Sequence, residues 1–503
     1  MLRLNLFCEP PTLDSRQATD STSMNVLIAL FEGMMRTNSN FQPELAGAKS
    51  YEISEDGKTY TFHLREHYWS NGDRVVAKDY LTAWSSTLDP KFPSPFAYKF
   101  YCIKNAAEIK EGRLPMKSLG VEAPNNETII VHLIHPTPFF LELLATPTFF
   151  PVHTKTVRQN PNWAGEGGSH YICNGPFTLE SWKHESEIVL KKNPYYWDAK
   201  KVRLDGVHLS MVPDISTEFY MFESGELDWA GAPLSTLPLE FIPALLAEGK
   251  LNTYETNGVY YFKLNTKRPP LNNVKIRRAL GLAICRQSIV DHILQADQAV
   301  ATSLVPNLPG VEKQNLFQDN SIEEAQRLFK EGLAEENLES IPSLTLSFNA
   351  CSQHQKIAQA IQQQWKTVLG LHIDLDSCDW KVYLSKINSQ NYDIGRLGWI
   401  GEHNDPITYL EPFRHKDNPH IGGNNETGWE DPLYAQLLNQ ADRELDLGKR
   451  LALLREAEAI LIDQMPLIPI YFLNYGYLKN PRVHGINLSP LGTIDLKEAY
   501  LEL

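Results

Sequence analysis

Residues 392–406 read YDIGRLGWIGEHNDP, and the fold turns on how this stretch is read. Tyr392, Ile394 and Leu397 stand near Gly398 and Gly401, and a residue without a Cβ lets another backbone come close. Arg396, Trp399, Glu402, His403, Asn404 and Asp405 lie within ten positions. The Arg396 guanidinium can fork onto a carboxylate, and the Glu402 carboxylate can receive an ammonium group. Those are the two ends of a peptide. Taken alone, the stretch reads more simply as a strand edge running into a polar loop, with both charges solvated.

Further blocks stand in order along the chain. They are LFEGM at 30–34, FHLREHYWSNGDRVVAKDY at 62–80, DPKFPSPFA at 89–97, NGPFTL at 174–179, KNPYYWDAK at 192–200, FESGELDW at 222–229 and YYFKLNTKRPPLNNVKIRRAL at 260–280. With residues 392–406 they resemble the oligopeptide-binding proteins of bacterial ABC importers (the OppA type, extracytoplasmic solute-binding protein family 5). The resemblance covers nearly all 503 residues. It implies an α/β, periplasmic-binding-protein-like clamshell of two lobes joined by a hinge, with three domains. Residues 1–43, 160–258 and 475–503 would form discontinuous domain I, 44–159 domain II as an extension of the same lobe, and 259–474 domain III as the second lobe. The crossings are expected near Gly258 and near Tyr475-Gly476, since hinges often contain small residues.

The resemblance also implies a function. The chain would be a non-enzymatic, cofactor-free monomer that captures oligopeptides in a closing inter-lobe cleft and delivers them to a membrane permease. It would work in the periplasm or at the cell surface. An export signal, and any lipid-bearing cysteine, would precede Met1 in the full-length precursor.

Composition agrees with a soluble globular protein: 42% hydrophobic and 21% charged residues. A chain of 503 residues is too long for one core, so two or three domains are expected. Net charge is 47 − 61 = −14, which argues against nucleic acid as a partner. The most apolar run, 139–152, is short and interrupted by Pro147 and Pro151, so it reads as a buried turn region and not a membrane span. Cys8, Cys102, Cys173, Cys285, Cys351 and Cys378 form no CxxC pair, which makes a zinc site improbable. They are expected to be mostly free and buried.

Periodicity places the elements. The run 24–35 predicts a helix, 58–64 a half-buried strand, 76–88 a helix ended by Asp89-Pro90, and 128–134 a β-branched strand. Asn174-Gly175-Pro176 predicts a turn. In 222–229 a helix, a turn at Gly225 and a strand follow one another. Asn273 is expected to cap a helix, and Ser321 another, with Glu324 at capping-box spacing. Leu451, Leu454, Ala457 and Leu461 line a later helix stopped by Pro466, and 467–473 is a buried strand.

The resemblance assigns site residues one by one. Main-chain groups of Thr19, Ser21, Gly398 and Ile400 would pair with a bound peptide, with Thr19-Asp20-Ser21 taking the place of a family strand. Glu402 stands where the family has an aspartate for the ligand amine, with Asp405 next in reserve. Arg396 and His354 would meet the carboxylate. Two further basic positions of the family are Leu294 and Ile387 here, and Lys386 could compensate. Trp380 and Trp399 match aromatic pocket positions, Asn404 lies in the same loop, and Asp228 and Trp229 lie near the cleft in family members.

Enzyme signatures are missing: there is no GxSxG elbow, no HExxH and no GxxxxGK[ST] loop. The rival enzyme class is a carbohydrate hydrolase, which needs a pair of carboxylates, and no pair here has a forced spacing. Alternatives on the same fold are a receptor for a peptidoglycan-derived peptide or, less simply, for a nickel or haem ligand.

Overall fold

The structure is a computed structural model that describes residues 1–341, 343–401, 403–414 and 425–502, with Lys381 described by its backbone only. The chain divides into two compact units, Met1–Tyr254 with Tyr475–Leu503, and Glu255–Asn474. It passes from one to the other within the strands Asn252–Leu264 and Leu467–Lys479.

The first unit holds two four-stranded sheets. In one, Leu2–Asn5 runs parallel to Gly206–Ser210, which continues antiparallel to Glu187–Lys192 and then Phe177–Lys183. The other is built from Ala48–Ile53, Thr59–Leu64, Thr128–His132 and Val121–Asn125. Thr59–Leu64 alternates as its sequence predicts, with Tyr60, Phe62 and Leu64 buried. The helix Ala77–Leu88 begins where the Asp79 carboxylate accepts the Val76 N–H at 3.1 Å.

The first predicted helix is displaced. It spans Ser21–Leu30, because the Asp20 carboxylate caps it by accepting the Ser23 N–H at 2.8 Å. The apolar run beyond it is buried in extended form, and Met35–Thr37 pairs with Pro43–Leu45. The backbone passes too close at Gly33 for any side chain, since a Cβ would stand 2.6 Å from the Leu144 carbonyl oxygen.

The turn at 174–176 locks onto this exit. The Asn174 side chain accepts the Glu32 N–H (3.2 Å) and donates to the Glu32 carbonyl (2.9 Å). Gly175 N–H donates to the Leu30 carbonyl at 2.8 Å. Two sequence blocks, with Glu32 and Asn174 142 positions apart, thus meet through one side chain and one backbone hydrogen bond. Block 222–229 forms the helix Ile215–Glu223, the left-handed turn at Gly225 (φ +78°) and the strand Trp229–Gly231. Trp229 is core: it is buried, donates to the Ala232 carbonyl (3.0 Å) and stacks on Tyr477 at 4.2 Å. Asp228 pairs with Arg3 at 2.7 Å.

In the second unit, Leu467–Lys479, Asn252–Leu264, Ile394–Ile400, Leu344–Asn349 and Ile373–Cys378 are neighbours in that order. Asn273 caps Val274–Leu282, accepting the Lys275 and Ile276 N–H groups at 2.9 and 3.3 Å. Ile276, Ala279 and Leu280 of that helix are buried. Ser321 precedes Ile322–Glu335 but forms no capping box, since its hydroxyl donates backwards to the Gln318 carbonyl at 3.0 Å. Leu447–Gln464 buries Leu454, Ala457 and Leu461.

All six cysteines are free. The expectation that most are buried fails: only Cys173 is buried, while Cys8 and Cys351 are exposed. Desolvation pushes the Cys102 and Cys173 thiols up to about 12. No helix among the described residues is long and apolar enough to cross a membrane.

The close passage at Gly175 can be tested. A Cβ there would lie 2.5 Å from the Leu30 carbonyl carbon and 2.6 Å from the Phe31 nitrogen. Gly175→Ala is expected to cost about 1–3 kcal/mol, the range for overpacking a fixed backbone. Urea unfolding measures it, and an unchanged midpoint would refute this account of the turn.

Candidate functional site

Strand Ile394–Ile400 is paired unequally on its two sides. All seven residues face Gly258–Leu264 in an antiparallel ladder. The other side carries only two rungs, Leu346↔Ile394 and Ser347↔Gly395. At one end Asn265 N–H donates to the Asp393 carbonyl (2.9 Å), and at the other Gly401 N–H donates to the Asn257 carbonyl (2.8 Å). Main-chain groups of an antiparallel strand alternate between its two neighbours. The odd residues from 393 to 401 therefore face the ladder, and 394, 396, 398 and 400 face away. From Arg396 onward no strand covers that outer edge among the described residues. Gly398 and Ile400 present their amides and carbonyls there.

The two glycines of this segment serve different ends. A Cβ on Gly398 would meet only the Val259 carbonyl oxygen at 3.4 Å and an Arg396 nitrogen at 3.9 Å, so the strand is uncrowded there. A Cβ on Gly401 would strike the Tyr409 hydroxyl at 2.4 Å. That hydroxyl donates to the Asn257 carbonyl at 2.6 Å.

Arg396 and His354 come together around one aromatic ring. The guanidinium lies 4.6 Å from the centroid of Tyr260, and its Nη1 donates to Asn349 Oδ1 at 3.3 Å. The Tyr260 hydroxyl and His354 Nδ1 are 3.4 Å apart. Burial, and then the charge of Arg396, depress the His354 imidazole to about 3. His354 is therefore neutral at ordinary pH, and the expectation of two cations reduces to one cation and one neutral hydrogen-bonding ring. Arg396 Nε and Trp399 Nε1 are buried donors with no acceptor among the described residues. Alternation puts Arg396 and Trp399 on opposite faces of the sheet.

Several expected residues have other duties. Asp405 is not in reserve for an amine: Arg450 grips it bidentately at 2.6 and 3.0 Å, and both side chains are buried. Lys386 pairs with Asp376, so it does not compensate for the missing basic positions. Leu294 and Ile387 are fully buried apolar residues. Asn404 accepts from the Asn257 side chain at 2.6 Å, which ties its loop to the neighbouring strand. Trp380 is 47% exposed at the start of Trp380–Asn388 and stacks on Tyr383. Glu402 lies outside the described residues.

Thr19 and Ser21 belong to the first unit and are exposed. The strand expected at 19–21 is not formed, because Ser21 is the first residue of the capped helix. Sequence reasoning missed Tyr260, Asn349 and Tyr383 as parts of the arrangement around Arg396. The signal for Tyr383 was available, three residues after Trp380 on one helical face. Among the described residues no cluster of three or more His, Cys, Asp or Glu is placed to hold a metal ion.

Comparison with known proteins places this geometry in context. The profile for bacterial extracellular solute-binding proteins, family 5 Middle, matches residues 40–420. The chain is 42% identical to the oligopeptide-binding protein OppA of Bacillus subtilis, over 100% of this chain and 92% of that protein. Among solved structures, a periplasmic oligopeptide-binding protein of Borrelia burgdorferi superposes with a TM-score of 0.85 at 28% identity, covering 100% of this chain and 99% of that one. The murein tripeptide binding protein MppA of Escherichia coli gives a TM-score of 0.84 at 28% identity, covering 99% and 98%.

The state of His354 carries a pH signature. Its folded value of about 3 lies below the unfolded value of about 6.5. Between these values the unfolded chain binds the additional proton, so stability rises with pH. This contribution is complete above about 6.5 and is lost as pH falls from there towards 3. The imidazole resonances of His354 should stay fixed from pH 8 to 5, and Arg396→Met should move the titration upward. An imidazole that titrates near 6.5 in the parent protein would contradict the burial argument.

Proposed function

We propose that this chain, which belongs to family 5 of the bacterial extracellular solute-binding proteins, binds oligopeptides by strand addition and hands them to a membrane permease. The observation that carries the reading is the half-paired strand 394–400, with the outward main-chain groups of Gly398 and Ile400. An extended peptide offers amides and carbonyls whatever its side chains, so pairing along an edge gives affinity without demanding a sequence. The oligopeptide binders among the relatives support the same ligand class.

In this reading Arg396 takes the ligand carboxylate and His354 adds a neutral hydrogen bond. Glu402, known here from sequence alone, takes the ligand amine. Trp399 and Trp380 offer aromatic surface to side chains. Water fills the rest, adapting the site to different peptides. No bond is made or broken, and the receptor acts as a monomer. Within the first unit, the sheet formed by 48–53, 59–64, 121–125 and 128–132 supports treating 44–159 as a domain of its own. The division would then be 1–43 with 160–258 and 475–503, 44–159, and 259–474.

The test is calorimetry with free, N-acetylated and C-amidated forms of one peptide. A desolvated ion pair that loses one partner costs about 3–5 kcal/mol. Glu402→Gln should therefore weaken the free peptide by a few hundredfold or more, at about 1.4 kcal/mol per tenfold. N-acetylation should cost the parent protein a similar factor and the Glu402→Gln variant far less. Arg396→Met should behave alike towards C-amidation. Equal losses from N-acetylation in both proteins would move the amine site elsewhere. Absence of binding to any peptide, or turnover of one, would sink the reading as a whole. Mass spectrometry of copurified ligand would tell a cell-wall peptide from an ordinary one.

A further inference from the structure

Tyr383 stands where two strands part. Leu344–Asn349 runs beside Ile394–Ile400 for the two rungs that end at Ser347↔Gly395, while its pairing with Ile373–Cys378 continues to Asn349↔Cys378. The next rung of a parallel ladder would join the Arg396 carbonyl to the amide of Asn349. That rung is not made. The Tyr383 hydroxyl, from the helix Trp380–Asn388, donates to the Arg396 carbonyl and lies 3.4 Å from the Ser347 carbonyl.

The side chain is firmly held. Tyr383 is fully buried and packs with Ile387 and Tyr392. A Cβ on Gly395 would sit 3.4 Å from its hydroxyl. Burial pushes the phenol up, so it keeps its proton and acts as a donor.

The outer edge therefore holds an ordered set of groups. The Arg396 carbonyl is already satisfied. The Gly398 and Ile400 carbonyls follow, each two residues further on. We propose that Tyr383 is a specificity-determining residue, which closes the first outward carbonyl and so fixes where an added peptide strand can begin. This rests on the strand-addition reading of the site. A ligand strand donates to Gly398 and Ile400 and finds no acceptor at Arg396. Its register is then set by the receptor's fork and not by its own side chains.

The experiment is a backbone N-methyl scan along a peptide that the parent protein binds, repeated with Tyr383→Phe. N-methylation removes one ligand donor at a time. A hydrogen bond contributes about 1 kcal/mol net, or roughly fivefold in affinity. The parent protein should show two internal amides, two residues apart, at which methylation weakens binding about fivefold or more. Tyr383→Phe frees the Arg396 carbonyl, so a third sensitive amide should appear two residues beyond the one paired to Gly398.

Three sensitive amides in this series in the parent protein would overturn the proposal, even if the variant failed to fold. An identical two-amide pattern in a folded Tyr383→Phe protein would also overturn it, leaving the hydroxyl a structural hydrogen bond only. Uniform insensitivity of a bound peptide to methylation would overturn strand addition itself, and with it the role of Tyr383.

Discussion

A β-strand has two edges, and the backbone on each must find partners or meet water. The strand 394–400 spends one edge entirely on its neighbour 258–264 and opens the other after two rungs. The rest of the second unit is arranged around that asymmetry. The ladder on the closed side holds the strand straight. Beyond its end, the Asp405–Arg450 pair and the Asn257–Asn404 hydrogen bond fix the loop that follows. A floppy edge would have to be ordered by its ligand, at a cost of about 1–2 kcal/mol per residue. Here that ordering is already in place.

Electrostatics around the strand follows from burial. Lys386, His354 and Arg396 were all matched to one carboxylate site, yet they behave differently. Lys386 is neutralised by Asp376, and His354 loses its proton to desolvation and to the charge of Arg396. Arg396 carries a guanidinium, the side-chain cation whose charge is the most fixed. It rests on the face of Tyr260, where the ring quadrupole attracts a cation without neutralising it.

Much of this was legible in the sequence. The Asn174-Gly175-Pro176 turn, the Gly225 turn and the Asn273 cap follow from local chemistry, and the structure has them where the residue types put them. The outward aim of Gly398 and Ile400 depends on strand parity, which the sequence does not number without the partner register. The failures share one cause. Ser321 was read by residue type, Asp405 and Lys386 by resemblance, and each found another partner through tertiary or local pairing. Ser321 turned back to the Gln318 carbonyl, and Asp405 met Arg450, 45 positions away. What the Tyr383 hydroxyl does was hidden for the converse reason. A tyrosine on an amphipathic helix looks like core, and only the parting of two strands gives its hydroxyl a task.

The thiols form a hierarchy with practical use. Only a thiolate attacks an alkylating reagent, so Cys102 and Cys173, held at about 12, react slowly at neutral pH. The two exposed thiols, Cys8 and Cys351, fall one in each compact unit. Cys351 also adjoins the helix Ser352–Leu369, which carries His354. The sequence thus comes with one exposed attachment point on either side of the strand crossings, and the partly buried Cys285 and Cys378 would be replaced to keep labelling there. A pair of spin labels or dyes placed there would report the distance between the units in solution, with and without peptide, and no cysteine would have to be engineered in.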